Sequence, residues 1–213
     1  MDFNYHRFAR AIGLDGLTAA AFTNQVHGNV VRIVTDADRH LPSDPPGPEC
    51  DGIVSATPGL TLFCFTADCA PVLLYDPAAR VAGSIHCGWR STVQDILRNA
   101  VGAMVSLGAE PGRISASVGP AIGPCCFETD ADVPDAMRAA LGSEAGQAIR
   151  PAGAKFYVDL KRLNAIWLRR AGVTCIDVSA DCTACQPQRF WSHRRVGNAR
   201  GSLAAIIRLR EEG

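Results

Sequence analysis

Three side chains able to hold a metal stand where apolar runs meet turns. His27 falls in NQVHGN, Cys69 in TADCAPVLLYD and His86 in VAGSIHCGWR. Two imidazoles and one thiolate make a good zinc set, and three protein ligands leave a fourth position for water or substrate. The three residues are scattered rather than clustered as CxxC, so spacing alone leaves three alternatives open. They are a metal site, a cysteine nucleophile paired with a histidine base, and a buried thiol with two unrelated histidines. The first two need the same thing, a thiolate beside an imidazole. Asp68 adds a proton carrier or a partner for a histidine ring, against the plainer role of a solvated or capping turn residue. Arg90, Arg194, Arg195 and Arg200 lie near glycines or at expected strand ends. Guanidinium groups there suit phosphate or carboxylate, with surface solvation as the bland alternative.

Nine cysteines is a high and odd number for 213 residues. A disulfide scaffold would be smaller and secreted, so free thiols or metal ligands are expected. Cys182 and Cys185 form CTAC, without a second CxxC or a thioredoxin-like flank, and read as two loop thiols. Cys125 and Cys126 are neighbours in GPAIGPCC. Adjacent cysteines do not easily ligate one metal together, so a structural role is expected for them.

The elements that must position these groups follow from periodicity. A helix is expected over Tyr5–Ile12, ending at Gly13. Strands are expected near Ala20–Val26 and Val30–Thr35, with His-Gly-Asn as the turn that puts His27 at a strand end. DADRHLPSDPPGPECDG reads as a loop. Leu60–Thr66, Pro71–Tyr75 and Val81–His86 read as strands, the last two joined by DPAAR. Ser91 is expected to cap a helix whose apolar face carries Val93, Ile96, Leu97, Ala100, Val101, Met104 and Val105 and which closes at Gly108. Further strands are expected at Arg113–Val118, Lys155–Val158, Thr174–Val178, Arg189–His193 and Leu203–Leu209. A helix near Val133–Leu141 and one capped by Asp159 complete the set. Strands outnumber helices without strict alternation, which predicts an α+β fold with mixed sheets in one domain spanning 1–213.

Composition narrows the function. With 21 basic and 21 acidic residues, net charge is zero, which offers no electrostatic grip on nucleic acid or an anionic membrane. The N-terminus is too polar for a secretory signal, and the longest apolar run is broken by Asp68 and Pro71. A cytoplasmic protein with a small-molecule partner is expected, without nucleic acid or membrane, as a monomer or homodimer.

The motifs also occur in a telling order: NQVHG at 24–28, DGIVS at 51–55, TADCAPVLLYD at 66–76, HCGWRST at 86–92, VGPAIGPCCFE at 118–128, then SHRR and ARG within 192–201. Together they resemble the YfiH-like family, first called the multicopper polyphenol oxidoreductase or laccase domain and now regarded as zinc-dependent purine nucleoside phosphorylases. The resemblance runs from about Tyr5 onward. It implies a layered α+β fold related to cysteine-hydrolase-like deamidases. It implies zinc on His27, Cys69 and His86, and phosphorolysis of adenosine, inosine, guanosine and 5′-methylthioadenosine, with deamination of adenosine besides. Cys69, Asp68 and Arg90 are then catalytic candidates, with Arg90 and Arg194 also for substrate and phosphate. Copper with laccase-like phenol oxidation is the alternative cofactor and reaction, and a metal- or nucleoside-binding domain without turnover is a third reading. Two departures stand out. Family members usually begin with a further segment of a few dozen residues that helps form the site, and the family's HxGWRG reads HCGWRS here, with Ser91 for glycine.

Overall fold

A computed structural model of the chain describes residues 7–8, 10–11, 20–41 and 43–211. The expected helix Tyr5–Ile12 falls largely outside these; Arg7, Phe8, Arg10 and Ala11 are helical.

In chain order the strands are β1 (Ala21–Phe22), β2 (Val31–Ile33), β3 (Gly52–Ser55), β4 (Thr61–Thr66), β5 (Ala70–Asp76), β6 (Val81–Cys87), β7 (Ser115–Val118), β8 (Glu128–Thr129), β9 (Ile149–Ala152), β10 (Lys155–Val158), β11 (Cys175–Val178) and β12 (Leu203–Arg208). The α-helices are α1 (Trp89–Val93), α2 (Ile96–Ser106), α3 (Asp132–Leu141), α4 (Leu160–Arg170) and α5 (His193–Val196).

Six strands form the central sheet in the order β11-β7-β5-β6-β3-β2. It is mixed: β11–β7 and β2–β3 run parallel, and the pairs between them run antiparallel. A second sheet, β1-β4-β12, packs on one face, and helices α2 and α4 pack on the other. A small β8-β10-β9 sheet lies beside them. This is the mixed, layered α+β arrangement that the pattern of elements predicts.

Strand alternation sorts the side chains between the layers. Val72, Leu74, Ile85 and Cys87 join Ile96, Leu97, Ala100, Met104, Leu163 and Trp167 in the helix-side core. Ile53 and Ala82 point the other way and meet Ala21, Leu60, Leu62 and Leu209 between the two sheets. At about 25 cal/mol per Å² of apolar area, these two buried layers are the main source of stability.

Several expectations need correction. Ser91 does not cap a helix. The cap of α1 is Gly88, and Ser91 lies inside that helix, fully buried, with its hydroxyl unpartnered among the described residues. The single helix expected from Ser91 breaks at Asp95, whose backbone is left-handed (φ 56°) and whose side chain caps α2 by accepting from Arg98 N. Val105 at the far end of the apolar stripe is exposed. Arg189–His193 is no strand; Ser192 there caps α5 by accepting from Arg195 N. The strand β3 emerges from the segment read as a loop. It fits between its neighbours because Gly52 has no Cβ; one added there would stand 2.9 Å from Ile85 Cδ1 and 3.0 Å from Val31 Cγ2.

Candidate metal centre

The β5–β6 hairpin builds one wall of the site. Cys69 immediately precedes β5, and His86 is the penultimate residue of β6, directly opposite Pro71. The second wall is the turn after Asn24, where His27 takes a left-handed backbone (φ 60°). A non-glycine residue in that region costs energy and persists only where its surroundings hold it.

What holds it is Asp51, at the mouth of β3. Its buried carboxylate accepts from three successive backbone N–H groups, Val26 (3.1 Å), His27 (2.9 Å) and Gly28 (2.8 Å). The same carboxylate stands 2.7 Å from His86 Nδ1. A carboxylate only accepts, so Nδ1 carries the proton and Nε2 is left as the ligand atom. One side chain thus bends the His27 turn and fixes the tautomer of His86. Sequence reasoning missed this residue. Its signal was the Asp that opens DGIVS, indistinguishable by type from the other acids of its loop.

The three candidate ligand atoms lie within 4.8 Å of one another. His27 Nε2 is 3.8 Å from Cys69 Sγ, and the two imidazole rings meet edge to face at 4.9 Å. Zinc with bonds of about 2.0 Å to nitrogen and 2.3 Å to sulfur would set such an N···S edge near 3.5 Å, so the donor set and its spread fit that ion. Gly88 leaves room for the convergence: a Cβ there would lie 2.7 Å from His27 Cδ2 and 3.2 Å from Cys69 Sγ.

Electrostatics pair a Cys69 thiolate with a charged His86, which must give up its Nε2 proton to bind a metal. Burial pushes the Cys69 thiol up, but hydrogen bonds and charge from His27 and His86 outweigh it and bring it down to about 7. Burial opposes charge on His86, yet Asp51 and then Cys69 raise it to about 9. Burial likewise works against ionised Asp51, and the His86 and backbone hydrogen bonds overcome it and lower its value. The ligands are therefore held as an ion-paired set.

Asp68 also has a left-handed backbone (φ 88°) and is buried, but it faces away from solvated turn roles. Its carboxylate accepts from Thr183 Oγ1 (2.6 Å), Ser192 Oγ (3.0 Å) and Arg194 N (2.7 Å). This ties two chain segments, one at Thr183 and one at Ser192–Arg194, to the residue next to Cys69. Arg194 itself donates from Nη1 to the carbonyls of Cys126 (3.1 Å) and Glu128 (2.9 Å). Arg90 is exposed on α1, its guanidinium 4.3 Å above the Trp89 ring. Arg195 Nη1 donates to Ala184 O, and Arg200 lies on the surface near His193 and Ser202.

A cavity of about 930 Å³ is lined by Phe65, Pro71, Leu73, Phe190, Trp191 and Leu203 among others. None of the three candidate ligands lines it. Pro71 is nevertheless the cross-strand partner of His86, and Leu73 that of Ser84, so the cavity and His86 share one face of the central sheet.

The mixed, layered α+β fold thus carries, at a hairpin end, a two-histidine, one-cysteine cluster that could hold a metal ion. The chain belongs to the family described as multi-copper polyphenol oxidoreductase laccase, whose model matches residues 1–210. It is 41% identical over 205 residues to a purine nucleoside phosphorylase of Mycobacterium tuberculosis, covering 96% of this chain and 77% of that protein. It is 39% identical over 212 residues to a purine nucleoside phosphorylase of Deinococcus radiodurans, covering 99% of this chain and 78% of that protein. The crystal structure of the hypothetical protein YfiH of Bacillus licheniformis superposes with a TM-score of 0.93 at 32% identity, covering 98% of this chain and 80% of that one. YlmD from Geobacillus stearothermophilus gives 0.92 at 33% identity, covering 99% and 80%.

Proposed function

We propose that the chain is a zinc-dependent purine nucleoside phosphorylase. Its substrates are adenosine, inosine, guanosine or 5′-methylthioadenosine with phosphate, its products the free base and ribose 1-phosphate, and it deaminates adenosine as a second activity. The observation that carries this reading is the convergence of His27, Cys69 and His86 in a chain 41% identical to a protein of that name.

Zinc on these three residues would supply Lewis acidity at a position the protein leaves open. The chain's own residues set the rest. Asp51 holds His86 in the tautomer that presents Nε2. Cys69 brings its negative charge. Asp68, next to Cys69, is the candidate to carry the proton that leaving purine requires in phosphorolysis, or that ammonia requires in deamination. Arg90 and Arg194 are the candidates to hold phosphate, in the geometry arginine suits. The aromatic and apolar cavity that shares a face with His86 offers a surface for a purine ring.

Chromatographic product analysis tests this. Zinc-replete protein with adenosine should yield adenine only when phosphate is present, and inosine in either case. Cys69→Ala should abolish both metal binding and turnover. Full activity in that variant, or neither product from protein shown to hold zinc, overturns the proposal. Phenol oxidation that tracks added copper would favour the other chemistry of the family's description. Against it, Met104 and Met137 are both buried in the helix-side core, away from the axial position a blue-copper site uses.

A further inference from the structure

The cysteines that sequence reading set aside as separate loop thiols converge in space. Cys125, Cys126, Cys182 and Cys185 bring their four sulfurs within 4.8 Å of one another. Cys185 Sγ is 3.4 Å from Cys125 Sγ and 3.4 Å from Cys126 Sγ. Adjacent cysteines do not easily ligate one metal together, yet here both side chains of the pair close on the same third sulfur.

The surrounding backbone is shaped for this. The loop 121–127 and the loop 182–185 are joined by a parallel bridge between Ala121 and Cys182, and Thr183 N donates to Ala121 O. Gly123 N donates to Cys182 Sγ at 3.2 Å, the kind of contact that stabilises a thiolate. Gly123 is also the residue whose missing side chain lets the sulfurs meet. A Cβ there would stand 3.1 Å from Cys182 Cβ and 3.2 Å from Cys125 Sγ.

We infer that Cys125, Cys126, Cys182 and Cys185 form a second metal site, a tetrathiolate for zinc or a similarly soft divalent ion, distinct from the His27, Cys69 and His86 group. Four thiolates around zinc at about 2.3 Å give sulfur–sulfur edges of about 3.8 Å, so the observed spacing needs only a small outward adjustment. A disulfide has a bond of about 2.05 Å and would use two of the sulfurs, leaving the others without purpose. Four protein ligands close the coordination shell, so this site is structural rather than catalytic.

Its position gives it a task. Thr183, between Cys182 and Cys185, donates to Asp68, and the carbonyl of Cys126 receives Arg194. A metal here staples the two loops that fix Asp68 and Arg194 beside Cys69. It acts on the first site as a positioning device.

The test uses the full chain purified anaerobically without chelator and then loaded with zinc alone. Two zinc ions per chain are expected. Cys185→Ser and the double variant Cys125→Ser, Cys185→Ser, both at exposed sulfurs, should each retain one. His27→Ala should also retain one, and X-ray absorption on that variant should report a shell of four sulfurs at about 2.3 Å. Cobalt in the same variant should show intense thiolate charge transfer. One zinc per chain, lost in His27→Ala and kept in the Cys185 variants with circular dichroism unchanged, overturns the inference. So does a sulfur–sulfur bond between any two of the four in metal-free protein kept under reductant, read as resistance of those two thiols to alkylation.

Discussion

Asparagine in place of Asp51 is the sharpest test of how the first site is built. Each carboxylate oxygen has two donors: Oδ1 faces His27 N and His86 Nδ1, and Oδ2 faces Val26 N and Gly28 N. An amide can present only one oxygen to such a set. With its NH₂ turned to Val26 and Gly28, two backbone donors of the turn lose their acceptor, and the left-handed His27 loses part of its support. With the NH₂ turned the other way, His86 must move its proton to Nε2 and ceases to be a ligand. These two donors are only part-buried, so each orphan costs near the low end of about 1–3 kcal/mol, about 2 kcal/mol for the pair. At about 2–4 °C per kcal/mol for a chain of this size, the metal-free protein should melt about 4–8 °C lower. Loss of a partner behind a metal-ligating histidine typically weakens binding about 10- to 100-fold, or about 1.4–2.8 kcal/mol. Calorimetry with and without zinc, and competition against a chromophoric chelator, read both quantities. Unchanged zinc affinity in a folded Asp51→Asn protein would refute the assignment of Asp51 as the residue that orients the site.

Ser91→Ala removes a fully buried, unpartnered hydroxyl from within α1 and should stabilise the protein by about 1 kcal/mol, raising Tm by about 2–4 °C; a lower Tm contradicts this. Gly88→Ala should drive its new methyl into His27 and Cys69 and weaken zinc binding at least about tenfold, while wild-type affinity would mean the close approach is unimportant. Zinc affinity at the first site should rise with pH, because both a protonated Cys69 and a protonated His86 compete with the metal. The climb should be steepest below about 7, shallower from there to about 9, and flat above, as read by chelator competition; affinity that falls with pH across this range is the contrary outcome.

The ligand triad was recognisable from motif order, and the strands that carry it from their apolar runs. The β5–β6 hairpin reads clearly because DPAAR separates two runs of strand length, and α4 because Asp159 caps a regular stripe. Other elements hide for definable reasons. β3 has four residues and a glycine, too short to show alternation, and its burial on both faces comes from neighbours distant in sequence. The break between α1 and α2 rests on one left-handed aspartate that periodicity does not report. Arg189–His193 has strand-forming aromatics, but Ser192 caps a helix instead. The four-cysteine group is invisible in the sequence because its two halves lie about 60 residues apart and meet through the bridge at Ala121 and the Gly123 contact to Cys182.

The separation between partners also imposes an order on synthesis. His27 meets Cys69 across 42 residues, and Asp51 meets His86 across 35. All four have been joined to the chain while more than half of the 213 residues are still to be made. Cys185 emerges far later, and β12, which covers β4, later still. A nascent chain therefore carries its candidate metal ligands His27, Cys69 and His86 well before the loops around Asp68 can be brought together. Any ion on the proposed four-cysteine group has to arrive after His27, Cys69 and His86 are already in the chain.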